Sequence, residues 1–161
     1  TFPKISRGLP YAFASHFAPA HLHNALRLYH QSFQPSAQLQ KPYSIACVNV
    51  IAAETDKEAE RLATSLYQFA MGIITNVRRP LPPPIDSMDG IWTEPQEAMI
   101  RNMMHYTFIG SEETIRMQLT QFVQETRVDE IMAVSHIYDH KARLKSYEIL
   151  GKVFQNVGQS V

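Results

Sequence analysis

An excess of charge of either sign is what this sequence most lacks. Its 161 residues hold 15 Lys plus Arg against 15 Asp plus Glu, a formal net charge of +0. A neutral chain with no basic block has no electrostatic reason to gather on nucleic acid or anionic lipid. Cysteine is nearly absent as well. Cys47 is the only one, which excludes an internal disulfide, and its place in an apolar run suits a small buried hydrophobe. Apolar runs are strand-sized, far short of a membrane span. No charged stretch followed by an apolar core opens the chain as a secretion signal would. A Walker loop, a Cys-x-x-Cys pair, a Gly-x-Gly-x-x-Gly turn and a Ser/His/Asp triad are all missing. Together these absences point to a soluble, cytoplasmic protein without nucleic-acid or membrane partners. The chain opens at Thr1 without methionine, which suggests a tag remnant, a processed end or a fragment.

What is present is an apolar core and an alternation of elements. Hydrophobic residues make up 45% of the chain, enough for one domain over residues 1–161. Leu9 to Ala14, Tyr43 to Ala53 and Asp129 to Ser135 are apolar and strand-sized, and Thr107 to Ile109 could add a very short strand. Between them lie helical stripes: Leu22, Leu26, Tyr29 and Phe33 after Pro19; Ala59, Leu62, Leu66, Phe69 and Ile73; Ile115, Leu119 and Phe122; Leu144, Tyr147, Leu150 and Phe154. Thr55 with Glu58 predicts a capping box, and Ser111 before Glu112 and Glu113 predicts a capped helix start. A further helix is expected from Pro95 towards Tyr106. Arg78 to Glu94 holds Pro80, Pro82, Pro83, Pro84 and Gly90. That composition predicts an irregular, mobile surface excursion with few core residues. Strand–helix alternation of this kind implies βα units and a mainly parallel sheet, with strands centred near Tyr11, Val48 and Met132.

Two stretches are less generic. Gly8 to Pro19 (GLPYAFASHFAP) and Ser135 to Leu150 (SHIYDHKARLKSYEIL) resemble the luciferase-like flavin monooxygenases, in the alkanal monooxygenase-like branch. Tyr29 to Pro35 (YHQSFQP), Asn49 to Glu60 (NVIAAETDKEAE) and Gly110 to Ile115 (GSEETI) fall in that family's order. The resemblance implies a (β/α)8 barrel of about 250 or more residues. This chain would correspond to its C-terminal half, strands five to eight. It also implies reduced FMN as cofactor, with O2 and a small organic substrate such as an aldehyde. In the family the flavin phosphate is held by a Ser-containing loop and an Arg earlier in the chain. A segment like GSS-x-x-SA is expected just before Gly8, where Thr1 to Arg7 (TFPKISR) stands instead. FMN binding by this chain alone is therefore expected to be weak or absent.

The resemblance also assigns candidate residues. Ser15, His16 and Phe17, at the C-terminal end of a strand, would line the flavin ring; a loop residue helping to start the next helix is the plainer role for His16. Ser135 and His136, after the last strand, would line the substrate pocket, with Asp139 as a helix cap. The run His136, Tyr138, Asp139, His140 invites a metal, but no matched ligands stand elsewhere, so none is expected. Gly110-Ser111 could cradle a phosphate at a helix start, yet Glu112 and Glu113 would repel it and favour a structural cap. The Arg78 to Glu94 excursion falls where the family carries a lid; a disordered loop is the expectation here. Trp92 is expected to anchor packing. A non-catalytic half-barrel, acting as an oligomer or a weak ligand binder, is the alternative function. Open strand edges predict a homo-oligomer, most simply a dimer, or association with the missing N-terminal half.

Overall fold

The computed structural model describes residues 8–77 and 79–157; residues 1–7, 78 and 158–161 lie outside the described set. Among the described residues, four parallel strands and five α-helices form in chain order: β1 (Tyr11–Phe13), α1 (Leu22–Ser32) after a 3-10 turn at Pro19–His21, β2 (Ser44–Ala52), α2 (Asp56–Ile74), α3 (Glu94–Met103), β3 (Thr107–Gly110), α4 (Glu112–Thr126), β4 (Glu130–Val134) and α5 (His140–Val157). β1, β3 and β4 all pair with β2, each in parallel. The three expected strand centres and the short fourth strand are therefore present. Parallel strands need helical crossovers, and the helices between them supply these.

Burial along β2 shows how the layers are built. From Ser44 to Val48 it alternates between buried and half-buried; from Val48 to Ala52 it is continuous. The even-numbered side chains Ala46, Val48, Val50 and Ala52 pack with Leu22 and Leu26 of α1, Ile115 and Leu119 of α4, and Ile149 and Val153 of α5. On the other face only the C-terminal end is covered, where Ile51 packs with Leu62 and Leu66 of α2, Ile100 of α3 and Ile137. The N-terminal part of that face stays open, with Ala12, Ala14 and Met132 exposed and Ile45 and Cys47 half-buried. Burial still pushes the Cys47 thiol up from its ordinary value, which keeps it protonated and unreactive near neutrality. Tyr29 ties α1 to the strand starts: its hydroxyl donates to the Leu9 carbonyl at 2.9 Å and accepts from the Tyr43 N–H at 3.0 Å.

Several local expectations are corrected. Thr55 does accept the Glu58 N–H at 3.2 Å, but the Glu58 carboxylate pairs with Arg61 instead of reaching back. The Ser111 hydroxyl meets Thr114 rather than capping the backbone, and its N–H goes to the Asp56 carboxylate at 2.7 Å. That carboxylate, held below its ordinary pKa chiefly by this bond, already occupies the helix start that a phosphate would need. A side chain at Gly110 (φ +154°) would run into Thr114 and Asp56, so this corner requires glycine. Residues 79–93 are irregular, as expected, and the helix after them starts at Glu94. They contribute more to the core than composition suggests: Met88 is buried, Trp92 packs on Tyr67 at 5.3 Å, and Thr64 clasps Ile85 through both its N–H (2.8 Å) and its carbonyl (3.1 Å).

The last helix is rotated from its expected face. Leu144, Tyr147 and Phe154 are exposed, whereas Ser146, Ile149, Leu150 and Val153 are buried. α5 carries two apolar stripes, and the buried Ser146 hydroxyl decides between them by accepting the Ala52 N–H at 2.9 Å, beyond the end of β4. Ile149→Ala should therefore cost about 2–5 kcal/mol of stability, whereas Leu144→Ala should stay within about 0.5 kcal/mol. Denaturant unfolding of the two variants checks the assignment; equal losses would restore the expected face.

Candidate active site at a fork in the sheet

Along a parallel strand, successive residues offer their backbone groups to alternate edges. The carbonyls of Tyr43 and Cys47 accept from the N–H groups of Tyr11 (2.9 Å) and His16 (3.0 Å). Further along, the N–H groups of Asn49 and Ala53 donate to the carbonyls of Tyr106 (3.0 Å) and Gly110 (3.1 Å). All four residues, two within β2 and one flanking each of its ends, are odd-numbered, so β1 and β3 share one edge in succession. Ser44, even-numbered, bonds Asp129 on the other edge. The chain of β1 turns away at Ser15-His16, and β3 succeeds it at Asn49. A fork opens between them.

A cavity of about 110 Å3 lies in this fork. His16 and Phe17 border it from the end of β1, Asn49 from β2, Thr107 from β3 and His136 from the end of β4. Leu66, Phe69, Ala70 and Ile73 of α2 and Met103 and Met104 close it with apolar surface. Three of the five candidate residues thus meet at one place at the C-terminal ends of the strands. The other two support it from behind. Ser15 is fully buried and its hydroxyl donates to the Cys47 carbonyl at 2.5 Å, the same carbonyl that holds the His16 N–H. Ser135 is turned towards α5, its hydroxyl 3.5 Å from that of Ser146, and does not border the cavity.

The two imidazoles differ in environment. The His16 ring leans on Phe17, centroids 4.1 Å apart, and its Nδ1 is buried without a protein hydrogen-bond partner. Such an atom carries a desolvation penalty unless a ligand or water meets it. Phe17 is 79% exposed, a flat apolar surface at the mouth. The His136 backbone N–H and ring Nδ1 both lie against Asn49 Oδ1, at 3.3 and 3.2 Å. Desolvation, and secondarily His16, lower the His136 pKa from its ordinary value, so its neutral form dominates near neutrality. Asp139 caps the Ala142 N–H at 2.8 Å and His140 meets Arg143 at 2.9 Å. Those side chains are engaged away from His136, and among the described residues no three His, Cys, Asp or Glu gather for a metal.

Sequence reasoning missed Asn49, Thr107 and the cavity role of Phe69 and Ile73. Asn49 had a signal: it is the one amide within the apolar run Tyr43 to Ala53, and it is buried in the strand. Phe69 and Ile73 fit a core stripe but remain 37% and 54% exposed. Phe69 also borders a second cavity of about 340 Å3, lined by Met71, Val77, Arg79, Pro80 and Ile91 among others.

No family model matches the chain. It is 42% identical over 142 residues to a luciferase-like monooxygenase of Escherichia coli K12, covering 88% of this chain and 42% of that protein. It is 41% identical over 149 residues to the uncharacterized protein YvbT of Bacillus subtilis, covering 92% and 44%. The crystal structure of apo-MsnO8 superposes with a TM-score of 0.74 at 31% identity, over 92% of this chain and 45% of that one. The fold is accordingly a partial (β/α)8 barrel. The chain is homologous to part of proteins named luciferase-like monooxygenase, and it spans less than half the length of the curated relatives it matches.

Ser15→Ala removes a buried donor, while the Cys47 carbonyl keeps its bond from His16. The expected loss is about 1 kcal/mol, with a displaced His16 ring resonance in the NMR spectrum. An unchanged spectrum would show that Ser15 does not set the His16 position.

Proposed function

We propose that the chain contributes one wall of the active site of a luciferase-like, flavin-dependent monooxygenase acting on a small organic substrate, such as an aldehyde, with O2. The observation that carries this reading is the convergence of His16, Phe17, Asn49 and His136 on one cavity at the C-terminal strand ends, the face that carries chemistry in barrels, in a chain homologous to such proteins. A cytoplasmic location is part of this proposal; no helix among the described residues is long and apolar enough to cross a membrane.

FMN fits the cavity only in part. The space is below the roughly 300–1,000 Å3 of sites that enclose a ligand of that size. Among the described residues lining it there is no Lys or Arg for a phosphate. What the residues fit is one edge of a planar, largely apolar group: Phe17 offers a ring face, Met103 and Met104 an apolar ceiling, and His16 Nδ1 an unmet polar atom. Reduced flavin, when bound, supplies the electrons for the reaction with O2. The chain's own part is to orient one side of the reactants, exclude water with α2 and α3, and hold His136 neutral. The excursion over residues 79–93, clasped to α2 by Thr64, would serve as the lid's base.

FMN titrated into this chain alone should bind more weakly than about 1 μM. Adding the remaining portion of the E. coli relative as a separate polypeptide should tighten binding and restore flavin-dependent O2 consumption. Micromolar or tighter binding by the chain alone would overturn the partial-site reading, and a reconstituted pair without flavin affinity would overturn the assignment.

A second reading, a non-catalytic half-barrel that persists as a homo-oligomer, is favoured by the open face around Ala12, Ala14, Ile45, Cys47 and Met132. Exposed apolar strand surface of this kind seeks a cover. A twofold dimer along these strands and Leu9 is expected in sedimentation at micromolar concentration. A stable, well-folded monomer would defeat it.

A further inference from the structure

The hydrogen bonds around Asn49 assign a proton to one particular atom. The His136 backbone N–H can only donate, so the Asn49 side-chain atom 3.3 Å away must be its carbonyl oxygen and not its amide nitrogen. That oxygen can only accept, and the His136 ring Nδ1 lies 3.2 Å from it. Nδ1 must therefore carry the hydrogen. In the neutral imidazole this leaves the lone pair on Nε2, and among the described residues no protein group donates to Nε2. The side chain borders the fork cavity. One amide oxygen thus fixes both the backbone position and the tautomer of the ring, as a base-orienting partner does in acid–base catalysis.

We propose that His136, oriented by Asn49, is the proton acceptor of this site, with Asn49 as its positioning residue. The proposal rests on the fork cavity being the active site. In the step, an acidic O–H or C–H of a ligand in the cavity gives its proton to Nε2. The electron pair of the broken bond stays on the ligand, and the ring becomes an imidazolium whose Nδ1–H remains bonded to Asn49. His16 is the titratable neighbour that acts on this ring, and it opposes the charge. Leu66, Phe69 and Met104 give the cavity beside the ring an apolar lining, while His136 itself stays open to solvent.

The test uses the chain itself and needs no flavin, so its failure is separable from failure of the monooxygenase reading. Long-range 1H–15N NMR of the histidines reads tautomer and titration directly. Wild type should show His136 as the Nδ1–H form, titrating below the ordinary value of 6.5. Asn49→Asp keeps an acceptor for both bonds and adds a charge, so the tautomer should persist while the pKa rises by about 1 unit or more. Asn49→Leu removes the acceptor and should release the ring into mixed tautomers; should it unfold, Asn49→Asp carries the comparison alone. Carbethoxylation at mildly acidic pH, mapped by mass spectrometry, reads the accessible Nε2 lone pair: His136 should react readily in wild type and several-fold more slowly in Asn49→Asp. An Nε2–H tautomer in wild type, an unshifted titration in Asn49→Asp, or an unreactive His136 would each overturn the proposal.

Discussion

The backbone of Ser44–Ala52 is the one stretch on which every other strand depends. β1, β3 and β4 have β2 as their partner in the sheet, and the two edges of β2 are used differently. The even edge meets β4 and, past its end, the Ser146 hydroxyl of α5. The odd edge is divided between β1 and β3. A buried strand cannot leave its N–H and C=O groups unpaired. The division at Cys47–Asn49 is therefore where backbone satisfaction passes from one partner to another, and a space opens between those partners.

That space is where the chemistry-bearing side chains collect. His16 enters because its own N–H is fixed on Cys47, His136 because its N–H is fixed on Asn49, and both anchors are on β2. The same strand thus holds the sheet together and sets the separation of the two imidazoles. The cover comes from α2, α3 and the Pro-rich segment between them, which pack over the C-terminal end of the odd face and leave its N-terminal part bare. One full helix layer on one face and a half-cover on the other are what a section of a closed barrel presents by itself.

Much of this was legible in the sequence because it rests on period and punctuation. Val and Ile runs marked β2, the three- and four-residue spacing of Leu22, Leu26 and Tyr29 marked the buried face of α1, and the prolines marked the irregular segment. His16, Phe17 and His136 were reachable through resemblance at strand ends. What escaped depends on which of two equivalent faces a helix presents. α5 has two apolar stripes, and no local rule reveals that Ser146 must reach Ala52. Phe69 and Ile73 continue a core stripe whose last turns lie over a cavity. Asn49 was visible as an amide in an apolar run, but its partner stands 87 residues away, beyond any local pattern.

The division of β2 also has a temporal side. β1 and β2 are neighbours in the chain, whereas the bond between Ser44 and Asp129 spans 85 residues. During synthesis, one edge of an uncharged, Val- and Ile-rich strand waits for most of the remaining domain before its partner exists. Long-range parallel pairing is slow for this reason, and such an edge is the place where nascent chains meet one another. The passage from ribosome to folded unit is thus most exposed between the emergence of Ala52 and that of Val134.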